Sequence, residues 1–235
     1  NRVADWCIGK LRAEHRQPFC LFAGFCSPHA PFYAPSRFYD LYPPDGIQLP
    51  AVRPGEHARL AASARELTIG WPSPRHEWMR RSNLDRDVVR AYLATVSFLD
   101  GEVGRVLDAL YRGPNASYTV VIFCSDNGFH MGEKERWGKQ SLWEPSTRVP
   151  LIIAAPGATE GALVQEPVGL IDLFPTVVEL LGAPAVGGLD GQSLAPLLRD
   201  PNAELKRRFT ITTYLPGNHA VTSEYYRYIR YSDGA

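Results

Sequence analysis

Three short, unbroken apolar runs constrain this chain more than any other feature: residues 19–26 (FCLFAGFC), 118–124 (YTVVIFC) and 149–154 (VPLIIA). A strand with one wet face alternates polar and apolar residues, whereas a run without alternation reads as a strand covered on both faces, the habit of parallel sheets. Between the first two runs, over about residues 84–112, Tyr92, Val96, Leu99, Val103, Val106, Leu107 and Leu110 recur at steps of three and four. One apolar stripe of that period predicts a helix, stopped by Gly113-Pro114. The opening residues carry the same rhythm at Val3, Trp6, Cys7 and Leu11, and residues 173–181 (LFPTVVELL) read as a shorter helix between Pro175 and Gly182. Strands and helices in alternation predict an α/β body, a mixed and mostly parallel sheet flanked by helices, over residues 1–204. The style then changes: TITTY, HAVTS and YYRYIRY are β-prone segments about ten residues apart, which predicts the start of a small antiparallel sheet over 205–235.

Composition removes several function classes. The 25 Lys and Arg residues balance 25 Asp and Glu, so no broad cationic field exists for nucleic-acid phosphates or an anionic membrane, and a charged ligand has to be caught locally. No apolar run approaches the length of about 18 residues that would cross a bilayer. Gly and Pro number 20 each, which predicts long ordered loops. The longest, residues 43–74, carries PPDGIQLP, RPGEH and WPSP, a composition that punctuates helix rather than propagating it, and an excursion of that length serves or covers a site. The four cysteines, Cys7, Cys20, Cys26 and Cys124, form no CxxC pair and no zinc spacing. Three of them sit in apolar contexts and read as free buried thiols.

In a parallel α/β sheet, ligands collect beyond the carboxyl ends of the strands. After the first run come Ser27, Pro28, His29, Ala30 and Pro31, a single imidazole in a proline-stiffened loop; after the second come Ser125, Asp126, Asn127 and Gly128. Asp126 and Asn127 offer a carboxylate and an amide oxygen, hard ligands suited to Ca²⁺ or Mg²⁺ rather than zinc, although the same residues also suit a plain turn. Two adjacent ligands cannot complete a coordination sphere, so further oxygens are required from elsewhere. Lys139, a dozen residues on in RWGKQSLWEPSTRVP, can meet an anionic ester oxygen or simply be solvated.

The ordered set GFCSPHAPFYAP, AYLATVSFLDGEVGRVLDAL, FCSDNGFHMGEKERWGKQSLWEPSTRVPLIIAAPG, LIDLFPTVVELLGAP and LDGQSLAPLL resembles the formylglycine-dependent sulfatases of the alkaline phosphatase superfamily, within them the iduronate-2-sulfatase and choline-sulfatase-like branch. The resemblance implies hydrolysis of a sulfate ester, of a sulfated sugar or small organic sulfate, at a Ca²⁺ site. Calcium is expected ahead of magnesium, with a formylglycine nucleophile made from the Cys or Ser of a C/S-x-P-x-R motif. It implies that Asp126 and Asn127 are metal ligands, that His29 protonates the leaving oxygen, and that Lys139 binds the sulfate. His130 and Glu133, in the loop after the metal dipeptide, and His219, in GNHAV, are the substrate-binding candidates. Arg148 reads as a structural ion pair, and the setting implied is periplasmic, secreted or lysosome-like.

The nucleophile motif is absent from these residues: in Cys26-Ser27-Pro28-His29-Ala30, alanine stands where arginine is required. The resemblance places the nucleophile and a paired Asp-Asp in a preceding portion of the polypeptide, so the 235 residues are expected to be a fragment, inactive alone, that breaks off within its C-terminal sheet. Two alternatives stand beside this reading: a phosphodiester or phosphonate monoester hydrolase of the same superfamily, and a noncatalytic anion- or glycan-binding homologue.

Overall fold

The computed structural model describes residues 2–69 and 74–235. Its helices are α1 (Arg2–Arg12), α2 (Ser36–Tyr39), α3 (Ala62–Ile69), α4 (His76–Arg81), α5 (Asp85–Tyr111), α6 (Glu144–Thr147), α7 (Leu173–Leu180) and α8 (Ala195–Arg199). The strands are β1 (Val121–Cys124), β2 (His130–Met131), β3 (Trp137–Gly138), β4 (Leu151–Ala154), β5 (Thr210–Thr213), β6 (His219–Thr222) and β7 (Arg227–Arg230). The chain forms two compact units, Asn1–Ala51 with Arg75–Thr119, and Val52–Pro74 with Val120–Ala235.

Helix α5, as long as its sequence period predicts, is the spine of the first unit. Against it α1 buries Ala4, Cys7 and Leu11, spaced three and four apart on one face. Of the apolar stripe only Leu110 is fully buried; Val96 is exposed and the others are half-buried. Other residues of α5 hold the loop around α2. Arg86 donates to the Ile47 carbonyl at 2.6 Å, and Arg90 to those of Tyr42 and Tyr39 at 2.7 and 3.2 Å. The Ile47 and Tyr42 carbonyls lie outside the helices and strands and that of Tyr39 ends α2, so a guanidinium with five fixed donors supplies what secondary structure does not. Ring contacts Phe32–Tyr92 and Phe38–Phe98, with centroids 5.7 and 5.4 Å apart, close the same face.

Residues 19–26 depart from expectation: they form no strand, and Phe22 is 87% exposed. An apolar run supplies β propensity, but a strand exists only where another backbone accepts its hydrogen bonds, and none of the described residues does so here. The cysteines are free, as expected, but only Cys7 is buried; Cys20, Cys26 and Cys124 are exposed. The 43–74 excursion also holds more helix than its prolines imply. Ala62–Ile69 (ASARELTI) is helical because Ala, Arg, Glu and Leu favour helix between the breakers; Trp71, Pro72 and Ser73 of WPSP lie outside the described residues.

In the second unit the mixed α/β class holds, but the strands expected to run parallel pair antiparallel. β1 meets β4 in the register Val121↔Ala154 to Cys124↔Leu151. A parallel pair needs a crossover of a dozen or more residues, usually a helix; residues 125–150 instead hold the hairpin β2–β3 and the four-residue α6, and return the chain in the opposite direction. The tail segments form the expected antiparallel meander in the order β5-β6-β7. The inward side of β4, Leu151 and Ile153, packs on Leu194, Leu197 and Leu205 together with Val164, Val168 and Ala203.

A fully buried carboxylate locks this core. Asp172 Oδ2 accepts the Gly169 N–H at 2.8 Å, and Oδ1 accepts the Gln192 N–H at 2.9 Å and the Arg207 guanidinium. Thr176 continues the network, donating to the Asp172 carbonyl at 2.6 Å and accepting the Leu194 N–H at 2.8 Å. Gly191 is required beside it, because a Cβ there would lie 2.1 Å from the Ile171 carbonyl oxygen. Removing the carboxylate leaves Arg207 and two amides without their acceptor. Asp172→Ala is therefore expected to cost about 3 kcal/mol, read as a lower urea midpoint at unchanged slope.

Candidate functional site

The loop after β1 is fixed by its backbone. The Ser125 N–H donates to the Pro150 carbonyl at 3.4 Å, the Ser125 hydroxyl to the Asn127 carbonyl at 2.8 Å, and the Gly128 N–H to the Ser146 carbonyl at 2.8 Å. Gly128 touches α6 so closely that a Cβ would lie 2.1 Å from the Pro145 carbonyl oxygen. This contact orients the two residues before it. Asp126 is exposed, and its carboxylate is committed to no hydrogen bond or ion pair among the described residues. Asn127 is half-buried; its amide nitrogen donates to the Gly128 carbonyl at 2.9 Å and its Oδ1 accepts Lys139 Nζ at 2.9 Å.

Lys139 follows β3, whose two residues pair with β2 as His130↔Gly138 and Met131↔Trp137. The hairpin tip is unusual backbone, with Gly132 at φ 119°, Lys134 at 58° and Glu135 at 53°. Glu133 stabilises it by accepting the Met131 N–H at 2.6 Å. Lys134 pairs with Glu56 and lies over the Trp143 ring, and Glu135 accepts the Gly55 N–H at 3.1 Å and faces His57 at 3.5 Å. The segment carrying Gly55, Glu56 and His57 is thereby clamped onto the hairpin.

His130 is fully buried, with Nδ1 3.0 Å from the Glu133 carbonyl and Nε2 2.9 Å from the Ser141 hydroxyl, itself 2.9 Å from that of Ser146. Burial pushes its pKa down to about 4; the Glu133 carbonyl opposes this, while the charges of Arg136 and Lys134 assist. His219, exposed on β6, has Nδ1 2.9 Å from the Thr213 hydroxyl. The meander meets the Lys139 loop elsewhere, where Arg227 donates to the Leu142 carbonyl at 3.0 Å and to the Thr147 hydroxyl. Arg148 pairs with Glu144 at 2.9 Å, as its sequence context predicts.

The structure thus brings Asn127 and Lys139 into contact, sets Asp126 beside them, and places His130 and Glu133 on the hairpin that carries the lysine. His29 belongs to the first unit. It sits exposed in a turn closed by its N–H on the Cys26 carbonyl at 2.8 Å, with Nδ1 2.5 Å from the Ala30 carbonyl. Ser141 and Ser146 escaped sequence reasoning, because a hydroxyl in KQSLWEPST carries no periodic or motif signal. Among the described residues no three His, Cys, Asp or Glu side chains converge as a metal site, and no helix is long and apolar enough to cross a membrane.

Two measurements test this geometry. Gly128→Ala forces backbone against backbone, with an expected loss of about 1–3 kcal/mol by thermal melting. For His130, the unfolded ring takes up a proton near pH 6.5 and the folded ring only near 4. Stability is therefore complete above pH 6.5 and falls by about 3 kcal/mol as the pH drops towards 4. Urea titrations across that range are expected to show the loss, and His130→Gln, which has no titrating ring, to flatten it.

A family model described as Sulfatase matches residues 1–183. A sulfatase of Formosa agariphila is 37% identical over 234 residues, covering 100% of this chain and 46% of its own length. A choline-sulfatase of Rhizobium meliloti is 34% identical over 197 residues, covering 79% of this chain and 36% of its own. The chain spans less than half the length of these two relatives. Among solved structures, the phosphonate monoester hydrolase of Agrobacterium radiobacter superposes with a TM-score of 0.74 at 23% identity, over 99% of this chain and 52% of that one. A protein solved with its substrate D-glucosamine-2-N,6-O-disulfate gives 0.74 at 20% identity, over 98% and 60%. At these identities the likeness establishes the fold, alkaline-phosphatase-like α/β, and nothing finer. Sulfatases generally use a formylglycine and a divalent metal. With the family model matched over most of its length and a relative 37% identical across it, the chain belongs to the sulfatase family.

Proposed function

We propose that this chain carries the metal-ligand, anion-binding and acid residues of a sulfuric ester hydrolase. The observation that carries the reading is the 2.9 Å contact of Lys139 Nζ with Asn127 Oδ1, beside the uncommitted carboxylate of Asp126. It joins a fixed cation to a pair of hard oxygens, the combination that a sulfate ester needs.

The donor set fits calcium. Asp126 and Asn127 would hold the ion, the amide oxygen having a second lone pair beside the one that Lys139 occupies. When bound, the ion and the family's formylglycine supply charge neutralisation and the nucleophile. This chain's residues do the rest. The ammonium of Lys139 stabilises negative charge on a sulfate oxygen as the ester bond breaks. The imidazole of His29 carries a proton on Nδ1 towards the Ala30 carbonyl, which leaves Nε2 to hold the proton given to the leaving oxygen. Glu133 and His219 are assigned to the rim of the substrate pocket. In the same reading the division at residue 204 separates the α/β body that carries the chemistry from the start of an antiparallel subdomain. The substrate class is a sulfated glycan or small organic sulfate, supported by the sulfated sugar bound to one fold neighbour and by the choline-sulfatase relative.

The test uses the intact natural protein with aryl sulfate, phosphate and phosphonate esters. Preferential sulfate release is expected; preferential release of phosphate or phosphonate would overturn the assignment. Chelation is expected to abolish turnover and calcium to restore it better than magnesium. Asp126→Ala is expected to weaken calcium binding about tenfold or more by calorimetry, and His29→Ala to lower kcat by about 100-fold with KM within about threefold.

A further inference from the structure

The buried ring of His130 has a polar partner on each nitrogen. Nδ1 faces a carbonyl oxygen, which only accepts, so Nδ1 carries the hydrogen. Burial disfavours the charged ring, and Nε2 lies 2.9 Å from the Ser141 hydroxyl. Ser141 Oγ in turn donates to the Ser146 hydroxyl at 2.9 Å and accepts the Trp143 N–H at 3.3 Å. An unbroken line of polar contacts therefore joins the Glu133 carbonyl, His130, Ser141 and Ser146.

Both serines of this relay also hold the loops of the Lys139–Asn127 contact through their backbone. Ser141 stands two residues after Lys139, and its N–H folds back onto the Lys139 carbonyl at 2.5 Å. The Ser146 carbonyl takes the N–H of Gly128, the residue after Asn127. The backbone of Ser141 holds the loop of the cation, and the backbone of Ser146 holds the loop of the amide.

We propose that His130 is a positioning residue that acts through Ser141 and Ser146 to hold Lys139 against Asn127, without itself touching substrate. Its catalytic consequence rests on the sulfate-ester reading above; its structural content does not.

Three variants of the intact protein separate the relay from mere packing. His130→Asn keeps a donor for the Glu133 carbonyl and loses the polar partner of Ser141; His130→Gln restores a partner there; Ser141→Ala removes the link. The first readout is acetylation of Lys139 by limiting acetic anhydride, followed by mass spectrometry against exposed Lys206. Labelling is expected to rise about fivefold in His130→Asn and Ser141→Ala, and to stay within about twofold of the parent in His130→Gln. Equal labelling in all three and the parent, or an equal rise in His130→Gln, overturns the proposal. The second readout is aryl sulfate turnover. His130→Asn and Ser141→Ala are expected to lose about 10- to 100-fold in kcat with KM nearly unchanged, and their combination to lose no more than the worse single change. Additive losses overturn a shared relay. If the parent cleaves no sulfate ester, the functional reading fails, while the labelling still decides the relay. Should His130→Asn not fold, the contrast between Ser141→Ala and His130→Gln decides it.

Discussion

Two stretches of backbone touch at Gly128, and the arrangement of the site follows from that touch. Any side chain at this position would push α6 away from the end of β1, and with it Ser146, Ser141 and the loop that presents Lys139. The core behind the site repeats the device at Gly191, which meets the Ile171 carbonyl oxygen as closely. In both places a polar anchor stands beside the glycine. Asn127 precedes Gly128 and reaches the lysine; Gln192 follows Gly191 and donates its N–H to the buried Asp172. Bare backbone gives the approach, and a directed hydrogen bond beside it fixes the register, so neither loop has room to slide.

A net charge of zero conceals how the charges are used. Arg86, Arg90 and Arg227 point guanidinium groups at carbonyl oxygens of loops, and Arg207 closes on Asp172. Arginine here acts as a staple for irregular backbone, which a chain with 20 prolines needs because proline contributes no N–H of its own. At the candidate site the charge is local: one ammonium on an amide oxygen, next to one carboxylate.

The parts of the fold that were legible in the sequence are those written locally. Helix α5 was readable because a period of three and four is a property of neighbouring residues, and the meander because its alternation is equally short-ranged. Strand direction was not, since β1 and β4 are defined by who pairs with whom across residues 125–150, and an apolar run says only that a strand is favourable. Residues 19–26 carry that point furthest, with strand composition and no strand. In the site, Asp126, Asn127 and Lys139 stood out as chemistry types at a strand end and by resemblance, but the contact between Lys139 and Asn127 and the hydroxyls behind it depend on folding.

The hairpin tip between β2 and β3 holds two consecutive residues, Lys134 and Glu135, in left-handed backbone that side chains seldom adopt. Both are held there by the segment around Gly55, Glu56 and His57, some eighty residues earlier. Two distant pieces of sequence therefore behave as one mechanical part. A loop grafted into the 52–60 region of this chain would have to carry its own carboxylate for Lys134 and its own N–H for Glu135, or the turn would relax and move the residues on either side of it, His130 among them.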